Sequence, residues 1–286
     1  MWTLALLISH RWLPAGLIFG AALLVKPQAI LFAPVLVFII AAQRMRSGGS
    51  WRGLGGPIIA TVVALAAAGV LSLPHTLAGV GENARPARSA AAGKPARAVS
   101  NWFDVVYGEL VFGQSYPRTT FNAFNVWWFH YLSNYRNPAS LDPTAPAALG
   151  LSKDALGKLM LAVMILAAWW LSGRKWGWSE TSWLAVAALV TLAAFALPTR
   201  VHERYIYLCI PFFIALTALR PIWALALIPL LIVGTFEMTS FRWAGALQSA
   251  AVRNSSALLA ALTCLALAVS LALLIRRVRP QSTPQS

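Results

Sequence analysis

Between two apolar stretches, Thr199-Arg200-Val201-His202-Glu203-Arg204-Tyr205 gathers two guanidinium groups, an imidazole and a carboxylate. Arg200 and Arg204 are four residues apart, and guanidinium forks suit phosphate oxygens. The pattern predicts that Arg204-Tyr205 opens a helix, whose N-terminal amides favour the same anion. His202 can donate to a phosphate or carry a proton. The plainer alternative is an ion-pair cluster in which Glu203 satisfies the arginines. Ionisable groups bordering a membrane bundle are costly, which favours a functional role. A second cation, Lys26, stands in Lys26-Pro27-Gln28 between two apolar segments. Pro27 interrupts a helix there because it lacks a donor and clashes with the preceding turn. Lys26 either snorkels to an interface or sets an ammonium beside an anionic lipid headgroup.

A third segment is aromatic. Phe121-Asn122-Ala123-Phe124-Asn125-Val126-Trp127-Trp128 is the densest part of the stretch 101–136. On a helix, Asn122 and Asn125 would share a face with Phe121 and Trp128 near it. Asparagine amides can bond sugar hydroxyls, and aromatic faces can cover sugar C–H surfaces. A helix lying in an aromatic belt at a membrane interface would have the same composition, and the two readings are compatible.

The elements that must carry these groups are apolar. Hydrophobic residues make up 59% of 286 and charged residues 11%, against about 25% charged in soluble domains; the mean hydropathy is +0.67. The net charge of +15 lies in short clusters between apolar runs, which argues for topology signals and phosphate contacts rather than nucleic acid. Cys209 and Cys264 fall inside apolar runs and have no His or Cys neighbours at ligand spacing, so neither a metal nor a cofactor is expected. A span needs roughly 20 apolar residues. Candidates are 55–73, 156–172, 180–197, 205–219, 222–239 and 255–275, with shorter segments at 12–25 and 28–42. The expected fold is all-α: a polytopic bundle of about seven or eight membrane helices. It divides into helices at 1–73, a large extracytoplasmic loop with short helices at 74–155, a helical bundle at 156–279 and a tail at 280–286.

Orientation follows from Lys/Arg bias in short loops. With Arg44, Arg46 and Arg52 in the cytoplasm, Arg11, Arg174, Lys175, Arg220, Arg276, Arg277 and Arg279 also fall inside. Lys26, Arg200, Arg204, Arg242 and Arg253 fall outside. So do Glu82, Asp104, Glu109, Asp142, Asp154, Glu203 and Glu237, leaving Glu180 as the cytoplasmic carboxylate. That bias places any chemistry on the extracytoplasmic face of a multi-pass cell-membrane protein whose C-terminus is cytoplasmic.

Leu24-Val25-Lys26-Pro27-Gln28 with Pro34, Asn122-Ala123-Phe124-Asn125-Val126-Trp127 and His202-Glu203-Arg204-Tyr205 together resemble the membrane-embedded GT-C glycosyltransferases. The likeness is to the polyprenyl-phosphate-mannose-dependent transferases of glycosyltransferase family 87. It implies inverting transfer of a mannose-like sugar from a polyprenyl-phosphate donor to an extracytoplasmic saccharide or lipid acceptor. Under it, Lys26, Arg200, His202 and Arg204 hold the donor phosphate. Gln28, Asn122, Asn125, Trp127 and Tyr205 serve the sugar or acceptor. The family's catalytic aspartate lies in an acidic outer loop near the N-terminus, and no such loop precedes Lys26. The chain therefore resembles the C-terminal portion of such an enzyme, with Asp104, Glu109 and Glu203 as substitute base candidates. Two other classes remain open. A lipid-linked-saccharide transporter or flippase would need polar residues through its helices and internal repeats, and few such residues and no repeat are seen. A catalytically inactive scaffold would leave the outward carboxylate bias unexplained.

Overall fold

The computed structural model describes residues 2–25, 27–46, 55–77, 120–121, 123–134, 141–176, 179–199, 201–237 and 249–276. These form an all-helical architecture, apart from one pair of two-residue strands. The chain divides into two compact units, one of residues 1–36 and 49–116, the other of residues 37–48 and 117–286.

In the first unit, α1 (Trp2–Ile8) ends where His10 takes a left-handed conformation, φ 55°. The Arg11 amide then donates to the Leu6 carbonyl and the His10 amide to that of Leu7, the paired closure that satisfies last-turn carbonyls. The next helix, α2 (Trp12–Val25), lies along α4 (Gly55–Leu77). Gly16 and Gly20 meet the backbone at Ala60 and Ala64. A methyl group on Gly20 would lie 2.6 Å from the Ala64 carbonyl oxygen, and one on Gly16 would collide with that of Ala60. Ala60, Ala64 and Ala68 are buried along this seam. Small residues four apart let two backbones approach closely, the packing that joins helices where no water drives association. After Val25, Pro27 opens a 3-10 helix (Pro27–Phe32), and Phe32 returns to Phe19 with ring centroids 5.9 Å apart. α3 (Ala33–Arg46) continues from it into the second unit.

The second unit contains α5 (Val126–Asn134), α6 (Lys153–Trp176), α7 (Glu180–Ala196), α8 (Ile210–Leu219), α9 (Ala224–Glu237) and α10 (Ala250–Ile275). Its centre is α7, buried at every residue from 185 to 196 and packed on α6, α8 and α10. A helix apolar all round needs neighbours on every side, and the alanines of α7 let them come close. Three buried hydroxyls, those of Thr191, Thr263 and Ser270, are satisfied within their own helices. Thr191 donates to the Ala187 carbonyl at 2.6 Å and Ser270 to that of Ala266 at 2.6 Å, the back-bonding open to small hydroxyls. Among the described residues, Lys153–Gly173 and Ala250–Ile275 are long and apolar enough to cross a membrane.

Two local expectations change. Arg204-Tyr205 does not open an α-helix: Glu203–Leu208 is 3-10, and α8 starts at Ile210 with Pro211 in its first turn. Proline has no N–H for the Tyr207 carbonyl, so an α-helix running through both would lose that bond. The chain steps across with tighter bonds, such as Cys209 N to Ile206 O at 3.1 Å. A six-residue 3-10 turn lacks the aligned amides of a long helix, so the helix-terminus argument for phosphate lapses. Asn125 also stands before a helix rather than on its face, because α5 begins only at Val126; its expected neighbour Asn122 lies outside the described residues.

Candidate functional site

The start of α6, the end of α7, the end of α9 and the approach to α5 are tied together in the second unit. Thr199, just past α7, donates its hydroxyl to Asp154 Oδ1 at 2.8 Å in the first turn of α6. Asp154 also receives Lys158 Nζ at 2.7 Å, one turn on. A methyl on Gly157 would come within 2.9 Å of the Leu197 carbonyl oxygen, so α6 passes that chain segment at backbone distance. Two strands then bring distant segments side by side. β1 (Thr120–Phe121) runs parallel to β2 (Val201–His202), with Thr120 opposite Val201 and Phe121 opposite His202.

Between β1 and α5 the chain is held by side chains. Asn125 is fully buried, and its Oδ1 accepts from the Trp127 amide at 3.1 Å, the N-cap geometry for which asparagine is favoured. Its Nδ2 donates to the Phe195 carbonyl at 3.4 Å and the Pro198 carbonyl at 3.5 Å. Trp127 Nε1 donates to the Leu197 carbonyl at 2.7 Å. Carbonyls left over at the end of α7 thus receive partners from the start of α5. Trp128 stacks on Tyr131, with centroids 4.9 Å apart, and meets Phe124 edge-on at 5.0 Å. From the end of α9, fully buried Glu237 accepts the Phe124 amide on Oε1 at 2.7 Å.

No protein-family model, curated protein or solved structure matches this chain.

The residues singled out in the sequence therefore stand on geometry alone. Phe121 and His202 are brought into register at the level of the backbone. Asn125 and Trp127 lie beside them with their polar groups committed to the protein, which makes them holders of the junction. Tyr205 is half-buried in the 3-10 turn, which also carries the backbones of Glu203 and Arg204. Gln28 belongs to the first unit, in the turn after Pro27. Lys26, Asp104, Glu109, Asn122 and Arg200 lie outside the described residues.

Three residues that organise this end carried no role in the sequence reading: Asp154 and Glu237, given only a side of the membrane, and Thr199, which only heads the basic motif. A signal for Glu237 was present, since it follows an uncharged run from Pro221 to Phe236, and a charge ending such a run needs a partner. Nothing local marks Thr199. Its partner is 45 residues away in sequence.

Proposed function

We propose that the chain is a multi-pass membrane glycosyltransferase. In this reading it holds a polyprenyl-phosphate sugar at an extracytoplasmic site for transfer to a saccharide or lipid acceptor. The observation that carries the reading is the register of Phe121 with His202. It brings the segment that starts at Phe121 beside the basic segment, suited to a phosphate, from 81 positions away. The Asn125 amide and the Trp127 indole hold that junction rather than a sugar.

The multi-pass arrangement draws support from the helix surfaces. On α6, Leu159, Val163, Leu166 and Trp170 form one outward stripe, each between 47% and 62% exposed. Val62 and Leu65 on α4 and Leu225 and Ile228 on α9 are similarly exposed, whereas Ser172, Thr191, Thr263 and Ser270 are buried. Large apolar groups outside and small polar groups inside suit a lipid surround; in water such stripes would drive association. In sealed vesicles, cysteine replacing Ala92 is expected to react with an impermeant thiol reagent from the extracytoplasmic side, and cysteine replacing Gly48 is not. The reverse pattern would overturn the orientation.

In the transfer, the acceptor hydroxyl oxygen bonds to the anomeric carbon. The bond from that carbon to the phosphate oxygen breaks, the phosphate keeps the electron pair, and the hydroxyl proton passes to a base. Arg200, His202 and Arg204, all in the second unit, are assigned to the phosphate. Glu203, in the same unit, is the base candidate, to be tested by its amide. The purified chain is expected to bind polyprenyl-phosphate sugar. Arg204→Ala should weaken that binding about tenfold to a hundredfold, the worth of a charge-assisted contact of roughly 1.5–3 kcal/mol, and Arg279→Ala should not. Equal effects would remove Arg204 from the site, and no binding at all would overturn the reading.

A further inference from the structure

We infer that Glu237 is a positioning residue: its carboxylate holds the backbone of Phe124 and thereby sets where the Phe121–Trp128 segment crosses the end of the helices. Glu237 closes α9 with no exposed surface. A buried carboxylate is costly unless a donor meets it, and a donor to Oε1 here is a backbone amide 113 residues away. Phe124 lies between β1 and α5, where neither the strand pair nor the helix supplies an acceptor for its N–H; a buried amide in that position needs one from elsewhere. On the next residue, Asn125 grips the carbonyls of Phe195 and Pro198. The loop is therefore held at two successive residues, by α9 through Glu237 and by the end of α7 through Asn125. Phe121, three residues upstream of Phe124, stands opposite His202, so the grip on Phe124 helps fix that register. What the bond requires is an oxygen at the right reach, not a charge. Glutamine retains both; aspartate keeps the charge but falls one methylene short.

That this placement serves donor binding rests on the function proposed above, and the experiment separates the two claims. Hydrogen–deuterium exchange is followed in the 286-residue chain, in detergent, on peptides covering Ala123–Asn134, for the wild type, E237Q, E237D and E237A. Binding of a polyprenyl-phosphate sugar is measured on the same four proteins. Loss of a buried hydrogen bond should speed local opening, and hence exchange, about tenfold or more in E237A and E237D, with E237Q matching the wild type. E237Q exchanging as fast as E237A, E237D protected like the wild type, or four equal rates would each overturn the assignment. If E237A does not accumulate, the contrast between E237D and E237Q decides it. Donor binding should follow the same order. If the wild type itself binds no donor, the proposed function fails while the exchange pattern still decides the role of Glu237.

Discussion

The seam between α2 and α4 and the tied end of the second unit solve the same problem with opposite materials. At the seam no side-chain hydrogen bond is needed: Gly16 and Gly20 fit against the backbone at Ala60 and Ala64, and fit is everything. At the tied end Asn125, Trp127, Thr199 and Glu237 each reach a named partner across long sequence separations. Dispersion and close approach hold the first; directed bonds to leftover backbone groups hold the second. The first should forgive polarity and reject size. The second should forgive modest changes of size and reject lost polarity.

The largest expected effect breaks the seam. Gly16→Val and Gly20→Val together would force side chains into the carbonyls of Ala60 and Ala64, which cannot yield without parting the helices. Overpacking typically costs about 1–3 kcal/mol per site, so the double variant should lose most of its folded, monodisperse yield in size-exclusion chromatography. Gly69→Ala on α4 meets nothing within 4 Å and should be neutral or stabilising by up to about 1 kcal/mol. Equal losses would mean that glycine is required in these helices for some reason other than fit.

The next effect inverts the chemistry. Asn125→Leu keeps the volume but removes the cap on Trp127 N and the donor to two carbonyls, and should cost about 2–3 kcal/mol in denaturant unfolding. Ala64→Ser at the seam adds a hydroxyl that can bond back into its own helix, and should cost less than about 1 kcal/mol. A larger loss from the serine than from the leucine would collapse the distinction between the two regions.

How far the sequence was legible follows the same division. Apolar runs marked α2, α4, α6, α7, α9 and α10 well, because burial of a continuous apolar surface is a local property of composition. Boundaries failed where a single residue decides them: Asn125 caps a helix instead of riding on its face, and Pro211 delays α8. At the candidate site, the sequence pointed to the segments around Phe121 and His202, and the structure brings their backbones together. It did not show that Asn125 and Trp127 face inward, since their partners are carbonyls at Phe195, Leu197 and Pro198. Nor did it single out Gly16 and Gly20, whose use depends on which helix lies opposite.

The smallest effects meet at Asp154 and test the comparison within one carboxylate. Oδ1 accepts from the Thr199 hydroxyl at 2.8 Å, and Oδ2 faces Lys158 at 2.7 Å. Thr199 is buried, whereas the Lys158 side chain is 61% exposed. A hydrogen bond from a buried hydroxyl to an ionised group is worth about 1.5 kcal/mol or somewhat more, so Thr199→Val should cost that much and be nearly independent of salt. An exposed lysine partner is worth about 0.2–1 kcal/mol at most and is screened within about 8 Å at physiological ionic strength. Lys158→Gln should therefore cost a few tenths of a kcal/mol at low salt and nothing measurable in 0.5 M chloride. If the lysine substitution proves the costlier, Asp154 serves chiefly to neutralise Lys158. The link from α6 to the end of α7 would then rest on the close passage of Gly157 past Leu197 rather than on a directed bond.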